Sequence, residues 1–174
     1  VVLDTETTGL DPKKDKILSI GAVRIINNSI EIADSFECFI KQEKFNTETV
    51  KVHGILKDGN TQKISEIEAL ETFLKYVKND VLIAHHLAFD ISIINTALKH
   101  HNLPKLNNKF IDTGILYKKI QGNKDGHYSL DALCEEFNIT LHDRHTALGD
   151  SYITALVFLK ITSRLKHKGN LNYS

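Results

Sequence analysis

The order of strand-like and helix-like segments limits the fold of this chain more than any other feature. Two strand-like segments, Ile17 to Ile26 and Ile30 to Ile40, flank Asn27-Asn28-Ser29, whose residue types favour the tight turn of a β-hairpin. The shorter apolar run Val1 to Asp4 precedes this hairpin. Beyond the hairpin, helix-like and strand-like segments alternate. The combination predicts an α/β domain with a mixed sheet rather than a doubly wound parallel one.

The segments after the hairpin are assigned from the spacing of their apolar residues. Ile67, Leu70 and Leu74 recur at helical spacing, which is typical of an amphipathic helix. Short apolar runs at Val81 to Ala84 and at Phe110-Ile111 predict two short strands. We expect helices at Ile64 to Lys78, at Ala88 to His101, from the N-cap Ser129 to Phe137, and at Thr146 to Leu165.

Length and composition exclude several classes of protein. A chain of 174 residues fits one domain, and its 22 basic side chains balance its 22 acidic ones, so the formal net charge is +0. This balance excludes a simple polybasic nucleic-acid binder, but not a protein that meets phosphate through metal ions. Cys38 and Cys134 are too few for a disulfide framework. No apolar run approaches the ~20 residues of a membrane helix, so we expect a cytoplasmic protein without a membrane partner.

Two acidic side chains follow the first apolar run. Asp4 and Glu6 are separated by one residue, so on a strand they point to the same face. Unpaired, the two carboxylates would repel each other, and a divalent cation such as Mg²⁺ or Mn²⁺ would relieve that repulsion. The alternative is an ordinary polar turn over Thr5 to Thr8.

Two further carboxylates and one histidine are candidates for the same site. Asp90 lies at the expected start of a helix, where the helix dipole alone would favour a carboxylate. Asp150 lies in the last expected helix, and His145 precedes it by five residues. At ~100° per residue, His145 and Asp150 converge only if His145 lies on the loop before that helix. Taken alone, His145 would be assigned as a surface histidine.

Three segments together resemble the motifs of a known nuclease family. The first runs from Val2 to Gly9, the second from Ala84 to Asp90 and the third from His145 to Asp150. In this order they resemble the three motifs of the DEDDh (DnaQ-like) 3′–5′ exonucleases, which include the epsilon proofreading subunit of bacterial replicative DNA polymerase. The resemblance implies an RNase H-like fold, a mixed five-stranded sheet flanked by helices. The resemblance extends to about residue 163. Because the end of the chain is polar and has no period, we expect an exonuclease domain over residues 1–165 and a polar tail or linker over residues 166–174.

The resemblance also implies a ligand set and a mechanism. Two divalent ions, Mg²⁺ or Mn²⁺, would assist hydrolysis of a phosphodiester bond. Asp4 would bridge the two ions, Glu6 and Asp150 would complete one site, and Asp90 would act through the other. His145 would take the proton from the attacking water.

The resemblance implies substrate contacts in three segments of the chain. The residues concerned are Thr7, Thr8, Gly9, Leu10, Glu48, His53, Ile55 and Phe89. Backbone donors of the first four would approach the terminal nucleotide, and Glu48 and His53 would bind its sugar or phosphate. Ile55 and Phe89 would pack against bases or belong to the core. One departure from the family pattern is His86, where the second motif commonly has asparagine.

The implied substrate is a single-stranded or frayed 3′ end, with DNA favoured over RNA, and a DNA polymerase subunit is an expected partner. An exoribonuclease or oligoribonuclease would use the same chemistry, because no residue unambiguously recognises a 2′-hydroxyl. A non-catalytic nucleic-acid-binding or polymerase-docking module is the alternative of another class. The presence of all four carboxylates and His145 disfavours it. The lysine-rich stretch from Lys99 to Lys124 either follows the incoming strand or forms a solvated face.

Overall fold

Strands and helices alternate along the described residues, which are 1–43, 47–56, 61–122 and 126–167 of a computed structural model. The strands are β1 (Val2–Thr7), β2 (Ile17–Ile26), β3 (Ser29–Ile40), β4 (Lys63–Ile64), β5 (Leu82–Ala84) and β6 (Phe110–Asp112). The helices are α1 (Thr47–His53), α2 (Glu66–Val77), α3 (Leu87–His100), α4 (Thr113–Gln121), α5 (Leu130–Phe137) and α6 (Ala147–His167). Sequence analysis assigned no structure to α1 and α4.

The sheet is mixed and has the strand order β4-β3-β2-β1-β5-β6. β2 runs antiparallel to both β1 and β3, whereas β3 with β4, β1 with β5, and β5 with β6 run parallel. The predicted mixed sheet is confirmed, but it has six strands where five were expected. The additional strand is β4, in which Lys63 and Ile64 pair with Phe39 and Ile40.

The strand β4 was missed because Ile64 has the spacing of the following helix. That helix begins only at Glu66, since the Ser65 hydroxyl accepts a hydrogen bond from the backbone N–H of Glu68 at 3.3 Å. A serine in this position ends the extended segment and starts the helix. Periodicity alone therefore does not separate the last residue of β4 from the first turn of α2.

The predicted β-hairpin of β2 and β3 is confirmed, but Ser29, expected in the turn, is the first residue of β3. Asn27 and Asn28 both adopt positive φ angles, 52° and 63°, between the paired residues Ile26 and Ser29. A two-residue hairpin turn of type I′ requires positive φ at both central residues. Asparagine tolerates that conformation better than most residues do.

The sheet separates two apolar layers. Leu3 packs with Phe73 of α2 and Ile94 of α3 on one face, while Val2 packs with Ala155 of α6 on the other. Successive strand residues point to opposite faces. On β1, the even-numbered side chains therefore face α6, and the odd-numbered side chains face α2 and α3. The helices α4, α5 and α6 share a further core of Tyr117, Leu133, Phe137 and Val157.

The helix α6 reaches the end of the described residues. It extends to His167, beyond the expected end at Leu165, and positions 168–174 of the predicted tail lie outside the described residues. Within the part of the chain that the structure describes, no helix is both long enough and apolar enough to cross a membrane.

Candidate active site

Asp4 and Glu6 project from β1 towards α6. Both are even-numbered and share the face on which Val2 contacts Ala155. The sequence prediction that the two carboxylates lie on one face of a strand is therefore met. The strand extends through Thr7, further than the expected Asp4, so both acids belong to β1 itself.

A glycine opposite Asp4 lets α6 approach the sheet at this point. Gly21 of β2 is the register partner of Asp4. A Cβ atom at Gly21 would lie 2.2 Å from backbone atoms of Ala147 and Leu148, which is too close for any side chain. The first turn of α6 thus rests on the backbone of β2, and this contact places the buried Asp150 beside Asp4.

Three carboxylates converge at this contact. One oxygen atom from each of Asp4, Glu6 and Asp150 lies within 4.8 Å of the other two. Asp90, the fourth predicted ligand, is near enough to Asp4 to raise its pKa, but its Oδ1 accepts a hydrogen bond from the Thr5 hydroxyl at 2.7 Å on the other face of β1. The structure therefore groups three of the four predicted acids and holds the fourth on Thr5.

Burial, together with the proximity of other acids, raises the pKa values of three of these carboxyl groups. Burial raises the pKa of Asp4 well above its ordinary value, and repulsion from Asp90, Asp150 and Glu6 acts in the same direction. Burial, followed by repulsion from Asp150, raises the pKa of Glu6 to about 7. Burial also raises the pKa of Asp90 to about 7, against the opposing effect of the hydrogen bond from Thr5. Asp4, Glu6 and Asp90 thus hold their protons more tightly than ordinary carboxyl groups do, and a nearby cation would favour their ionised forms.

Arg144 is a contact that sequence analysis did not foresee. Its Nη1 donates to Asp150 Oδ2 at 2.5 Å and its Nε donates to Asp131 Oδ1 of α5 at 2.8 Å. Hydrogen bonding to Arg144 lowers the pKa of Asp131. The sequence shows a single arginine in a short polar loop, but nothing in it indicates which acids the guanidinium joins.

The free oxygen of Asp150 fits a divalent cation. Asp150 Oδ2 accepts from Arg144 and, at 3.3 Å, from the backbone N–H of His145. Asp150 Oδ1 is buried and has no hydrogen-bond partner in the described residues. The three acids thus offer carboxylate oxygens, one of which is buried without a hydrogen-bond donor. Hard divalent cations prefer oxygen ligands of this kind.

His145 lies on the loop before α6, as its convergence with Asp150 requires. Its φ angle is 63° and its side chain is exposed. The loop is tight, since a Cβ at Gly149 would lie 2.1 Å from the carbonyl oxygen of Asp143. His145 is therefore held outside the helix with its backbone N–H on Asp150, while its role as a base stays a prediction.

The predicted substrate residues after β1 form a hydrogen-bonded loop. The Thr7 hydroxyl donates to the carbonyl oxygen of Gly9 at 2.8 Å, and the Thr8 hydroxyl donates to Asp15 at 3.1 Å. Thr7 and Thr8 are buried, whereas Leu10 is 87% exposed and projects from the loop. Leu10 thus has the exposure that a contact with a nucleotide needs.

The other predicted substrate residues have mixed surroundings. In α1, Glu48 bonds to Lys51 at 2.9 Å, and His53 Nδ1 accepts from the backbone N–H of Ile55 at 3.0 Å. His53 Nε2 is therefore the protonated nitrogen, and it is buried without a hydrogen-bond partner among the described residues. Phe89 packs partly against the core of α2 and α3. Substrate contact by Glu48, His53, Ile55 or Phe89 stays a prediction.

The lysine-rich stretch is distributed over several elements. Lys99 lies in the last turn of α3, while Lys118 and Lys119 lie in the last turn of α4. Lys124 lies outside the described residues. A path along the substrate strand stays a prediction for these lysines.

A profile of the exonuclease family RNase T matches residues 1–158. The chain belongs to this exonuclease family. The family resemblance drawn from the three motifs is thereby confirmed, and with it membership in a family of hydrolytic nucleases that generally use divalent metals.

The chain is also similar to part of much longer proteins. DNA polymerase III PolC-type of Thermotoga petrophila is 34% identical over 170 residues, which are 97% of this chain and 12% of that protein. DNA polymerase III PolC-type of Staphylococcus aureus is 32% identical over 175 residues, again 12% of its length. The chain therefore spans about 12% of the length of these curated relatives.

Solved structures share the fold at low identity. Exonuclease X in complex with 5′ overhanging duplex DNA has a TM-score of 0.72 at 23% identity, over 97% of this chain and 92% of that one. Escherichia coli exonuclease I in complex with a dT13 oligonucleotide has a TM-score of 0.81 at 16% identity, over 97% and 42%. A 3′-exonuclease that recognises the histone mRNA stem-loop has a TM-score of 0.81 at 17% identity, over 94% and 80%. These likenesses confirm the RNase H-like exonuclease fold.

Proposed function

We propose that this chain is a metal-dependent 3′–5′ exonuclease that hydrolyses the terminal phosphodiester bond of DNA and releases nucleoside monophosphates. The observation that supports this proposal best is the group of Asp4, Glu6 and Asp150, in which Asp150 Oδ1 is buried without a partner. The similarity to PolC-type polymerases favours proofreading during DNA replication, in association with a polymerase and in the cytoplasm.

The residues proposed to hold metal lie on both faces of β1. Asp4, Glu6 and Asp150 would hold one divalent cation, Mg²⁺ or Mn²⁺, and Asp4 with Asp90 would hold a second. When bound, such a pair supplies charge for the attacking and leaving oxygens. Arg144 would keep Asp150 Oδ2 hydrogen-bonded, so that Oδ1 stays available to the ion.

His145 is proposed to remove a proton from the attacking water. A neutral imidazole has one ring nitrogen free to accept a proton, as a general base requires. The positive φ angle of His145 and its exposure orient it away from the helix and towards solvent. Backbone groups of Thr7 to Leu10 and the side chains of Glu48 and His53 would hold the terminal nucleotide.

RNA is the second candidate substrate. One neighbour of the same fold is a 3′-exonuclease that recognises an RNA 3′ end. The PolC-type relatives, at 32% to 34% identity, are closer in sequence and favour DNA.

The test is a chain-shortening assay on a 5′-labelled single-stranded DNA and an RNA of the same sequence, each with Mg²⁺, Mn²⁺ or EDTA. Asp4→Asn is the inactive variant and Glu71→Gln, an exposed acid on α2, is its matched control. We expect a ladder that shortens from the 3′ end, faster on DNA, and that is lost in EDTA and in Asp4→Asn. Activity in EDTA, or in Asp4→Asn, would refute the metal-dependent mechanism, and no cleavage by the wild type would favour a docking module.

A further inference from the structure

Three histidine rings form a cluster outside the carboxylate group. The ring centroids of His86 and His127 are 4.7 Å apart with an interplanar angle of 21°, so the two imidazoles stack. His85 meets the edge of His86 at 4.3 Å, and its Nδ1 bonds to the Thr113 hydroxyl at 2.9 Å. His85 is half-buried and fixed, whereas His86 and His127 are exposed.

The stacked pair joins the start of α3 to the segment before α5. His86 is the N-cap residue of α3, and Asp90 follows it by one helical turn. His127 precedes α5 and Asp131, the acid that Arg144 ties to Asp150. The pair therefore links α3, which carries Asp90, to the segment before α5. Asp131 of α5 is joined through Arg144 to Asp150.

The backbone at His86 is left-handed. Its φ angle is 59°, in a region that asparagine, aspartate and histidine adopt more often than other non-glycine residues. Its side chain makes no capping hydrogen bond at α3. What the ring contributes here is its stack on His127.

We propose that the His86–His127 pair is a stacking platform for an unpaired nucleobase of the substrate strand, upstream of the nucleotide that is removed. This inference rests on the proposed exonuclease function and extends it to a second binding site. Aromatic faces bind bases without regard to sequence, as an exonuclease that removes every base in turn requires.

The surroundings of the pair suit a nucleic acid strand. Lys118 of α4 is near enough to His86 to act on it electrostatically, and it offers a cation for the adjoining phosphate. Burial lowers the pKa of His86, and His127 and Lys118 oppose the attraction of Asp112. Asp112 itself is engaged, because its carboxylate accepts from the backbone N–H groups of Leu87 and Ile115.

The experiment compares a strand with a substrate too short to reach the platform. The enzyme is assayed on an oligothymidylate and on the p-nitrophenyl ester of thymidine 5′-monophosphate. His86→Asn removes the ring with a residue that suits the positive φ angle, His86→Phe restores a ring, and His100→Ala is a control at an exposed histidine of α3. We expect His86→Asn and His127→Ala to raise KM for the oligonucleotide roughly 5- to 100-fold. We expect kcat and ester hydrolysis to stay within about twofold.

The outcomes separate the platform from the catalytic proposal. His86→Phe should recover most of the lost affinity, because it restores a ring surface. Equal losses on both substrates would overturn the platform and indicate a structural role, and unchanged KM in both variants would overturn it as well. If the wild type hydrolyses neither substrate, the exonuclease proposal fails. The platform is then decided by a fluorescence anisotropy titration with labelled single-stranded DNA, in which unchanged affinity of the variants refutes it.

Discussion

The two faces of β1 hold carboxylates in opposite ways. On the face towards α6, Asp4, Glu6 and Asp150 crowd together and Asp150 keeps one buried oxygen without a partner in the described chain. On the other face, Asp90 accepts a hydrogen bond from Thr5, its neighbour on the strand. One strand therefore supports a crowded group of acids that a cation would stabilise and an acid whose orientation is fixed by a hydrogen bond.

This difference indicates that the two faces of β1 have different roles in the proposed site. The face towards α6 would supply most of the charge for binding a metal ion, because among the described residues its acids accept side-chain or backbone donors only at Asp150 Oδ2. The face towards α3 supplies one oriented oxygen atom. Changes on the first face should therefore affect activity more than changes that only loosen the second.

The largest effect is expected from removing an acid of the crowded group. Asp4→Ala or Asp150→Ala should abolish cleavage while the fold stays intact, because each removes an oxygen ligand, and in Asp150→Ala the guanidinium of Arg144 keeps its bond to Asp131. Cleavage of labelled DNA is measured beside the circular dichroism melt of each variant and of the control Glu71→Gln. Unchanged turnover in a folded Asp4→Ala or Asp150→Ala variant would contradict the assignment. Asp90→Ala should also abolish cleavage, since it removes the second proposed metal ligand set.

His145→Ala should lower the rate by roughly 10²–10⁴-fold, because it removes the proposed general base and leaves the carboxylates in place. The variant is compared with His100→Ala, which removes an exposed imidazole from the last turn of α3. The rate is measured with saturating Mn²⁺, so that a change in metal affinity does not contribute. A loss below tenfold would exclude His145 as the base.

Arg144→Ala should weaken Mn²⁺ binding by roughly 10–100-fold, because outer partners that orient a metal ligand have effects of this size. Affinity is measured by the loss of the free Mn²⁺ signal in electron paramagnetic resonance, independently of activity. Asp131→Ala removes only the outer partner of Arg144 and should have a smaller effect. Wild-type Mn²⁺ affinity in Arg144→Ala would show that Asp150 is oriented without the guanidinium.

Thr5→Val tests the opposite face of β1. Valine keeps the shape of threonine and suits a strand, but it removes the hydrogen bond to Asp90 Oδ1. A lost hydrogen bond of about 1 kcal/mol corresponds to roughly a fivefold fall in rate. Steady-state kinetics on the labelled oligonucleotide decide the point, and a loss as large as that of Asp4→Ala would remove the difference between the two faces.

The smallest effect concerns the stability of the metal-free protein. Burial raises the pKa of Glu6 from 4.5 to about 7, so the folded state holds this proton more tightly than the unfolded state does. Stability should therefore fall as pH rises from about 4.5 to about 7 and level off above that range. In EDTA, Glu6→Gln should show a flatter dependence of Tm on pH than the wild type. Parallel Tm curves for the two proteins would contradict the raised pKa.

Much of this arrangement follows from local sequence patterns. The shared face of Asp4 and Glu6 comes from the two-residue period of a strand, and the hairpin turn comes from the tolerance of asparagine for positive φ. Capping at Ser129 is confirmed, since its hydroxyl accepts from the backbone N–H of Ala132 at 3.2 Å. These features depend on neighbours in the chain, and for that reason the sequence shows them.

Contacts between distant segments were not predictable in the same way. The bond between Thr5 and Asp90 joins residues 85 positions apart, and the approach of α6 to Gly21 depends on a missing side chain. The link from Arg144 to Asp131 and Asp150 depends on how α5 packs against α6. Such pairs are determined by tertiary packing, and no periodicity or local motif in the sequence encodes them.

The most direct test of the account is to locate metal in a crystal of the protein grown with Mn²⁺ and thymidine 5′-monophosphate, using the anomalous signal of manganese. We expect a manganese peak among the carboxylates of Asp4, Glu6 and Asp150, and a second peak on the side of Asp90. A fully occupied manganese peak elsewhere, with none among those three carboxylates, would contradict it.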